Sequence, residues 1–431
     1  MKEECIFCFL TSYKQKQLKK LAQIQEEKFE DILEKYKDIF TKEFSISIKK
    51  NICKKHERIF RSYDILKVIK TISVEEINGF FQEIIEIYKK WISGEAFTAI
   101  QRLDNLLKKE KLILLSEEEF EKNKFYINNK VFFRGRKAEK RIFNCYDMFH
   151  IPYDKRYLVG NQRFSLSGYP LLYLNASIDG VVAELDISEE TFDDYVFSAF
   201  HFNKPANVYT LENPFKAFFL KEYNKRDNEL CLEEDITKDK IKNKMFKFIL
   251  ASICCFEKRI QHKKQEQLGK NVFYEEYVIP QALTQVLKLH NYDGVYYPST
   301  RVNVLEKGLF RDETFNLAYF PKYQKRHYDD ELYKTLDITV PISYENIKDI
   351  LKEEIDFREL FFNIRASELS DEEQFKFYQL LEIYVKKLRK ESENKEKKLE
   401  NFKEKSYRMN EMLFNNFLLK NILQISSQKG E

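Results

Sequence analysis

Four residues near the amino terminus have the types and spacing of a metal site. Cys5 and Cys8 form a Cys-x-x-Cys pair, and Cys53 and His56 form a Cys-x-x-His pair. Zinc takes four soft or borderline ligands at the corners of a tetrahedron, and two turns of this kind supply them. The pairs are separated by 44 residues, so the intervening chain must double back, as a helix would, to bring both to one ion. Four protein ligands leave no open position, so such a zinc is structural. The competing reading is a pair of buried cysteines beside an exposed, lysine-flanked histidine, without metal.

A second stretch, residues 160 to 187, is glycine-punctuated and then strand-like. It carries Arg163, Tyr173 and Glu184 at intervals of ten and eleven residues. With only 10 glycines in 431 residues, the chain offers few such places. The rest reads as support for it or as helical material on either side.

Charge and composition exclude several classes. The 74 basic and 70 acidic residues nearly cancel to +4, which argues against a nucleic-acid partner. The apolar run 248 to 256 is too short to cross a bilayer. No signal peptide is visible at the start, and seven cysteines in a chain too large to need staples fit reduced thiols. A cytoplasmic protein without membrane contact is expected.

Residues 1 to 125 read as a helical domain. Leu18, Leu21, Ile24, Phe29, Ile32 and Tyr36 recur at helical spacing, and capping boxes at Ser73 with Glu76 and Ser116 with Glu119 mark helix starts. Residues 128 to 335 read as an α+β domain. Its expected strands are 131–136, which carries Arg134 and Arg136, then 169–174, 207–211, 272–279, 294–297 and 316–320. A helix is expected over 281–289, and residues 181–185 are too short to assign alone, though they could begin a helix. Residues 224–244 read as an insertion. Residues 336 to 431 read as a helical region, with a third capping box at Ser370 and Glu373 and an unbroken polar run from 389 to 398. That run reads as a solvated helix face, and the helical regions offer surfaces for a homo-oligomer.

The ordered set Arg163-Phe164-Ser165, Gly168, Pro170, Leu172-Tyr173-Leu174, Ala183-Glu184 and Asp293-Gly294-Val295-Tyr296-Tyr297-Pro298-Ser299 resembles the RES domain, a family named for its arginine, glutamate and serine. Phe133-Arg134 resembles the domain's opening strand, and 277–281 its approach to the serine motif. The resemblance covers roughly 200 residues. It departs from many members in having Phe-Ser after Arg163 where they have Trp-Asn, and in the wide gap between Glu184 and Ser299. It implies an ADP-ribosyltransferase-like fold flanked by helical regions, and an enzyme that degrades NAD as a consumed substrate. Such proteins are best known as bacterial toxins restrained by a partner antitoxin.

On that resemblance, cleavage of nicotinamide from NAD passes through an oxocarbenium-like ribose, which a nearby carboxylate stabilises. Glu184 is the expected carboxylate. Arg163 is expected to clamp phosphate oxygens with its guanidinium fork, Tyr173 to stack on nicotinamide, and Ser299 to present a hydroxyl to the ribose or a water. Arg134, Arg136, Ser165 and Tyr297 are further candidates for substrate contact. His150 and His201 read as structural. The bland readings are a helix-surface glutamate, an arginine salt bridge at the sheet edge and a core tyrosine. Without a Walker loop or Gly-x-Gly-x-x-Gly motif, a Rossmann or kinase reading has no support. ADP-ribosyl transfer to a macromolecule and an inactive nucleotide-sensing module are the alternatives.

Overall fold

The structure is a computed structural model. It describes residues 5–11, 27–57, 62–113, 127, 130–138, 144–215, 236–259, 273–301, 315–339 and 341–351, with isolated positions 379, 405, 406, 409 and 413.

The amino-terminal part is helical, as its periodicity dictates: α1 (Ile6–Thr11), α2 (Phe29–Ser47), α3 (Ser62–Ile69), α4 (Val74–Ile92) and α5 (Ala96–Lys109). The capping box at Ser73 forms, with Glu76 N–H donating to Ser73 Oγ at 3.1 Å and Ser73 N–H to Glu76 Oε2 at 2.9 Å. Two of the donors that a helix start leaves unpaired are thereby satisfied. Ile77, Phe80, Phe81, Ile84, Ile85 and Tyr88 of α4 are all buried. The capping boxes at Ser116 and Ser370, and the polar run from 389 to 398, lie outside the described residues.

A mixed sheet follows. Its elements are β1 (Val131–Lys137), β2 (Leu172–Asn175), α6 (Ile178–Leu185), β3 (Tyr195–Phe202), β4 (Val208–Thr210), α7 (Lys238–Cys254), α8 (Val278–Leu289), β5 (Gly294–Pro298), β6 (Phe315–Tyr319), α9 (Asp330–Lys334), β7 (Leu336–Ile338) and α10 (Tyr344–Leu351). Among the described residues the seven strands form one sheet in the order β4-β5-β6-β2-β1-β3-β7. The β4–β5 pair is parallel and the other pairs are antiparallel. The architecture is α+β.

Strand alternation divides the sheet between two cores. Val295, Tyr297 and Ala318 face the helices, in a core continuous with that of α1 to α5 and with α7 and α8. Tyr296, Leu317, Leu172, Leu174 and Phe132 face a second core with Met148 and Phe149. The amino-terminal helices therefore share their apolar interior with one face of the sheet. The sheet also runs beyond residue 335, since β7 pairs with β3 and Ile342 bridges to Phe197.

Several expected elements differ. The strand expected over 272–279 does not form among its described residues, 273–279: Glu275–Tyr277 form a 3-10 turn and α8 begins at Val278. Pro280 is the third residue of that helix, where an N–H would have no partner anyway, so it costs no hydrogen bond. The β-branched pair Val278-Ile279 is overruled by packing on both sides, for both are buried. Strand β3 has no counterpart among the expected strands. Its sequence Tyr-Val-Phe-Ser-Ala-Phe-His-Phe lacks clean alternation because both faces are covered. Residues 238–244, read as part of an insertion, open α7, and 224–235 fall outside the described residues.

Candidate functional site

Of the two strand pairs at the middle of the sheet, β2–β1 is much weaker than β2–β6. β1 and β3 pair over seven residues, whereas β1 and β2 meet in register only at Phe133 and Asn175. Where they part, a cleft of about 1060 Å3 opens, lined by Arg163, Tyr173, Glu184, Tyr297, Arg301 and Asn316 among others.

Glu184 lies in the last turn of α6. That helix is capped by Ser177, whose Oγ accepts from Gly180 N–H at 3.0 Å, and it ends at Asp186 in the left-handed conformation, φ 55°. It lies close on the sheet because position 135 is glycine: a Cβ there would come within 2.9 Å of Val181 Cγ1. The Glu184 side chain is one-third exposed, 33%. Ser299 Oγ donates to its Oε1 at 2.6 Å and Asn316 Nδ2 donates to the same oxygen at 2.7 Å. Its Oε2 faces the guanidinium of Arg301 at 3.7 Å, outside hydrogen-bond range. One oxygen is anchored and the other is presented to the cleft.

Arg163 sits in the loop before β2, 7% exposed. Its Nη1 donates to the carbonyl of Cys254 at 2.9 Å, and its Nη2 to Thr300 Oγ1 at 3.3 Å. Cys254 ends α7, so the cation meets a carbonyl left over at a helix C-terminus, where positive charge is favoured. The guanidinium also lies 4.9 Å above the ring of Tyr277. Arg163 thus ties the loop to α7 and α8 while still lining the cleft.

Tyr173 lies on the face opposite Leu172 and Leu174, and its hydroxyl accepts from Phe164 N–H at 3.3 Å. Burial pushes its phenol well above the usual range, so it stays a neutral donor. Tyr297 packs its ring on Phe164, centroids 4.5 Å apart. Arg134 lines the cleft from β1, with its buried Nη1 lacking a hydrogen-bond partner among the described residues. Burial, followed by the neighbouring Arg136, pushes its guanidinium well below the ordinary value.

Three expected contacts fall outside the cleft lining: Ser165, Arg136 and Ser299, whose hydroxyl donates to Glu184. Ser165 Oγ donates to the carbonyls of Tyr169 and Leu166 and braces the loop. Arg136 donates to Phe149 O at 3.4 Å. His150 and His201 also lie outside it.

In the amino-terminal helical part, Cys5, Cys8, Cys53 and His56 converge. The S···S distances are 3.9, 3.7 and 3.7 Å, and the three sulfurs lie 3.4, 3.4 and 3.3 Å from His56 Nδ1. Zinc with bonds of about 2.3 Å to sulfur and about 2.05 Å to nitrogen gives tetrahedron edges of about 3.8 and 3.6 Å. The donor set and its spacing fit that ion. Helix α2 supplies 19 of the 44 intervening residues. Hydrogen bonding from Cys8 pulls the Cys5 thiol well below its ordinary value, in keeping with a thiolate ligand. The same contact drives Cys8 upward, as only one of two touching thiols ionises without a cation between them.

The chain resembles a protein of Bacillus subtilis (strain 168) named "Putative toxin YopC", with 28% identity over 251 residues. That stretch is 56% of this chain and 52% of the relative. The chain thus spans about half the length of the curated relative it matches. No family model matches the chain, and no solved structure matches it. The RES resemblance therefore rests on the motif residues themselves.

Sequence reasoning missed Asn316, Arg301, Asn175 and Tyr277. Asn316 left a readable signal: it is a polar residue inside the apolar strand Phe-Asn-Leu-Ala-Tyr, and buried amides need partners. Arg301 follows the serine motif by two residues, but only the fold turns it towards Glu184. Among the described residues, no helix is long and apolar enough to cross a membrane.

Proposed function

We propose that this chain is an NAD-degrading toxin that cleaves the bond between nicotinamide and ribose, on an ADP-ribosyltransferase-like fold. The observation that carries the reading is Glu184, with one oxygen anchored by Ser299 and Asn316 and the other turned to a cleft shared with Arg163 and Arg301. The cleft lies at the upper end of ligand-pocket sizes, about 300–1,000 Å3, room enough for a dinucleotide. The toxin name of the Bacillus subtilis relative agrees with such a role.

In the reaction the C1′–N bond breaks and its electron pair leaves with neutral nicotinamide. The ribose becomes cationic, and Glu184 stabilises that charge and accepts hydrogen bonds from ribose hydroxyls. Water then attacks C1′ and loses its proton, giving ADP-ribose. Arg301 offers positive charge to the pyrophosphate, and Tyr173 and Tyr297 offer ring faces to nicotinamide. NAD is consumed, not recycled. A cell making such an enzyme needs a partner protein that restrains it, and cytoplasmic NAD is its substrate pool.

The test is release of free nicotinamide from NAD by the purified full chain. Glu184→Gln should lower kcat by at least about 100-fold, the worth of roughly 3 kcal/mol of transition-state stabilisation, with an unchanged melting temperature. Absence of release by the unaltered chain overturns the proposal. Adenine-derived label kept on a macromolecule instead identifies a transferase, and NAD binding without turnover identifies a sensor.

A further inference from the structure

The acceptor and donor roles around Glu184 can be traced to a backbone group that has no choice. Ser177 N–H can only donate, and it donates to Asn175 Oδ1 at 2.9 Å. This fixes the Asn175 amide, so its Nδ2 donates to Asn316 Oδ1 at 2.5 Å. The Asn316 amide is fixed in turn, and its Nδ2 donates to Glu184 Oε1. Amide orientations are otherwise ambiguous; here one N–H settles both. Asn175 and Asn316 are also register partners on β2 and β6, and both are buried, 3% and 5% exposed.

We infer that Asn316, held in one orientation by Asn175, is the positioning residue that aims the Glu184 carboxylate into the cleft. The inference rests on the proposed role of Glu184. Buried side-chain amides cost free energy unless paired, and neither amide is required to close the sheet, whose ladder is made by the backbone. Their disposition makes sense as a relay from the α6 cap to the carboxylate. Ser299, the residue after β5, donates to the same oxygen, so Oε1 is held both from the end of β5 and from β6.

The test is a double-mutant cycle on nicotinamide release. Asn316→Leu keeps the branched shape but removes the donor, and should lower kcat at least 10-fold while KM stays within about threefold. Asn175→Asp keeps the acceptor for Ser177 and loses the donor to Asn316, and should lower kcat less. In the double variant the Asn175 change should cost nothing further, because its path to Glu184 is already cut. Additive losses, or an unchanged kcat in a folded Asn316→Leu chain, overturn the inference.

A readout independent of turnover is the Asn316 side-chain amide signal in protein labelled with 15N-asparagine, assigned by its loss in Asn316→Leu. It should move in Glu184→Gln and in Asn175→Asp. Movement without NAD turnover by the parent chain would sink the catalytic reading and keep the relay. Turnover with an unmoved signal would do the reverse.

Discussion

His150 shows how a single buried side chain writes a pH dependence. Its Nε2 accepts from Asp329 N–H at 3.1 Å, and its Nδ1 lies 2.8 Å from the carbonyl of Ile151. The ring is therefore neutral, with its proton on Nδ1. Burial pulls it from 6.5 down to about 4. Between these values the unfolded chain binds more protons than the folded one, so stability rises with pH across that window. The contribution is complete above about pH 6.5 and is lost as pH falls towards 4, about 3 kcal/mol in all. Denaturant midpoints measured from pH 7 to 4 should fall accordingly, and the fall should be shallower in His150→Gln. Equal slopes would assign the acid loss to other groups.

At the level of elements, helix α6 and the metal cluster each depend on one local condition. A Cβ at Gly180 would lie 1.8 Å from Asn175 Oδ1, so Gly180→Ala must displace the amide that orients Asn316. Its expected cost is about 2 kcal/mol, as for other overpacked sites, and kcat should fall with stability. An alanine there with parental stability and rate would show that Asn175 has room to move. Helix α1 is only six residues long, too short to hold by itself. Its anchors are the cysteine–histidine cluster, buried apolar side chains and the bond from Asn213 Nδ2 to Leu10 O at 2.7 Å. Metal analysis of the purified chain should give one zinc per molecule. Cys53→Ser should lose it, together with at least about 3 kcal/mol of stability. Zinc retained by that variant would exclude Cys53 as a ligand.

Across the whole molecule, the helices and the sheet are joined by aromatic packing. Phe256, just beyond α7, lies edge-on to Phe29 and Tyr36 of α2, with centroids 5.7 and 5.3 Å apart. Phe256→Ala should cost about 4 kcal/mol and lower the melting point of the amino-terminal helices and of the cleft together. Separate transitions, seen by amide exchange at α4 and at β5, would mean that the two parts are stable independently. At the carboxy-terminal end, Met409 and Leu413 are buried and Lys405 pairs with Asp193 at 3.6 Å. Lys405 thus packs beside the turn that leads into β3.

Local signals were enough for some features. The helical stripe of α4, its capping box, the cysteine spacing, and the order of Arg163, Tyr173 and Glu184 were legible because each depends on neighbours within a few residues or on side-chain chemistry alone. The sequence could not show that β1 and β2 part, that Arg163 is spent partly on the end of α7, or that Asn175 and Asn316 meet across 141 residues. It misread 272–279 because strand preference there lost to burial on a helix, and it passed over β3 because a strand covered on both faces has no alternation. Residue types are fixed by the chain, but a cleft is made by pairings between distant segments, whose energies no local window contains.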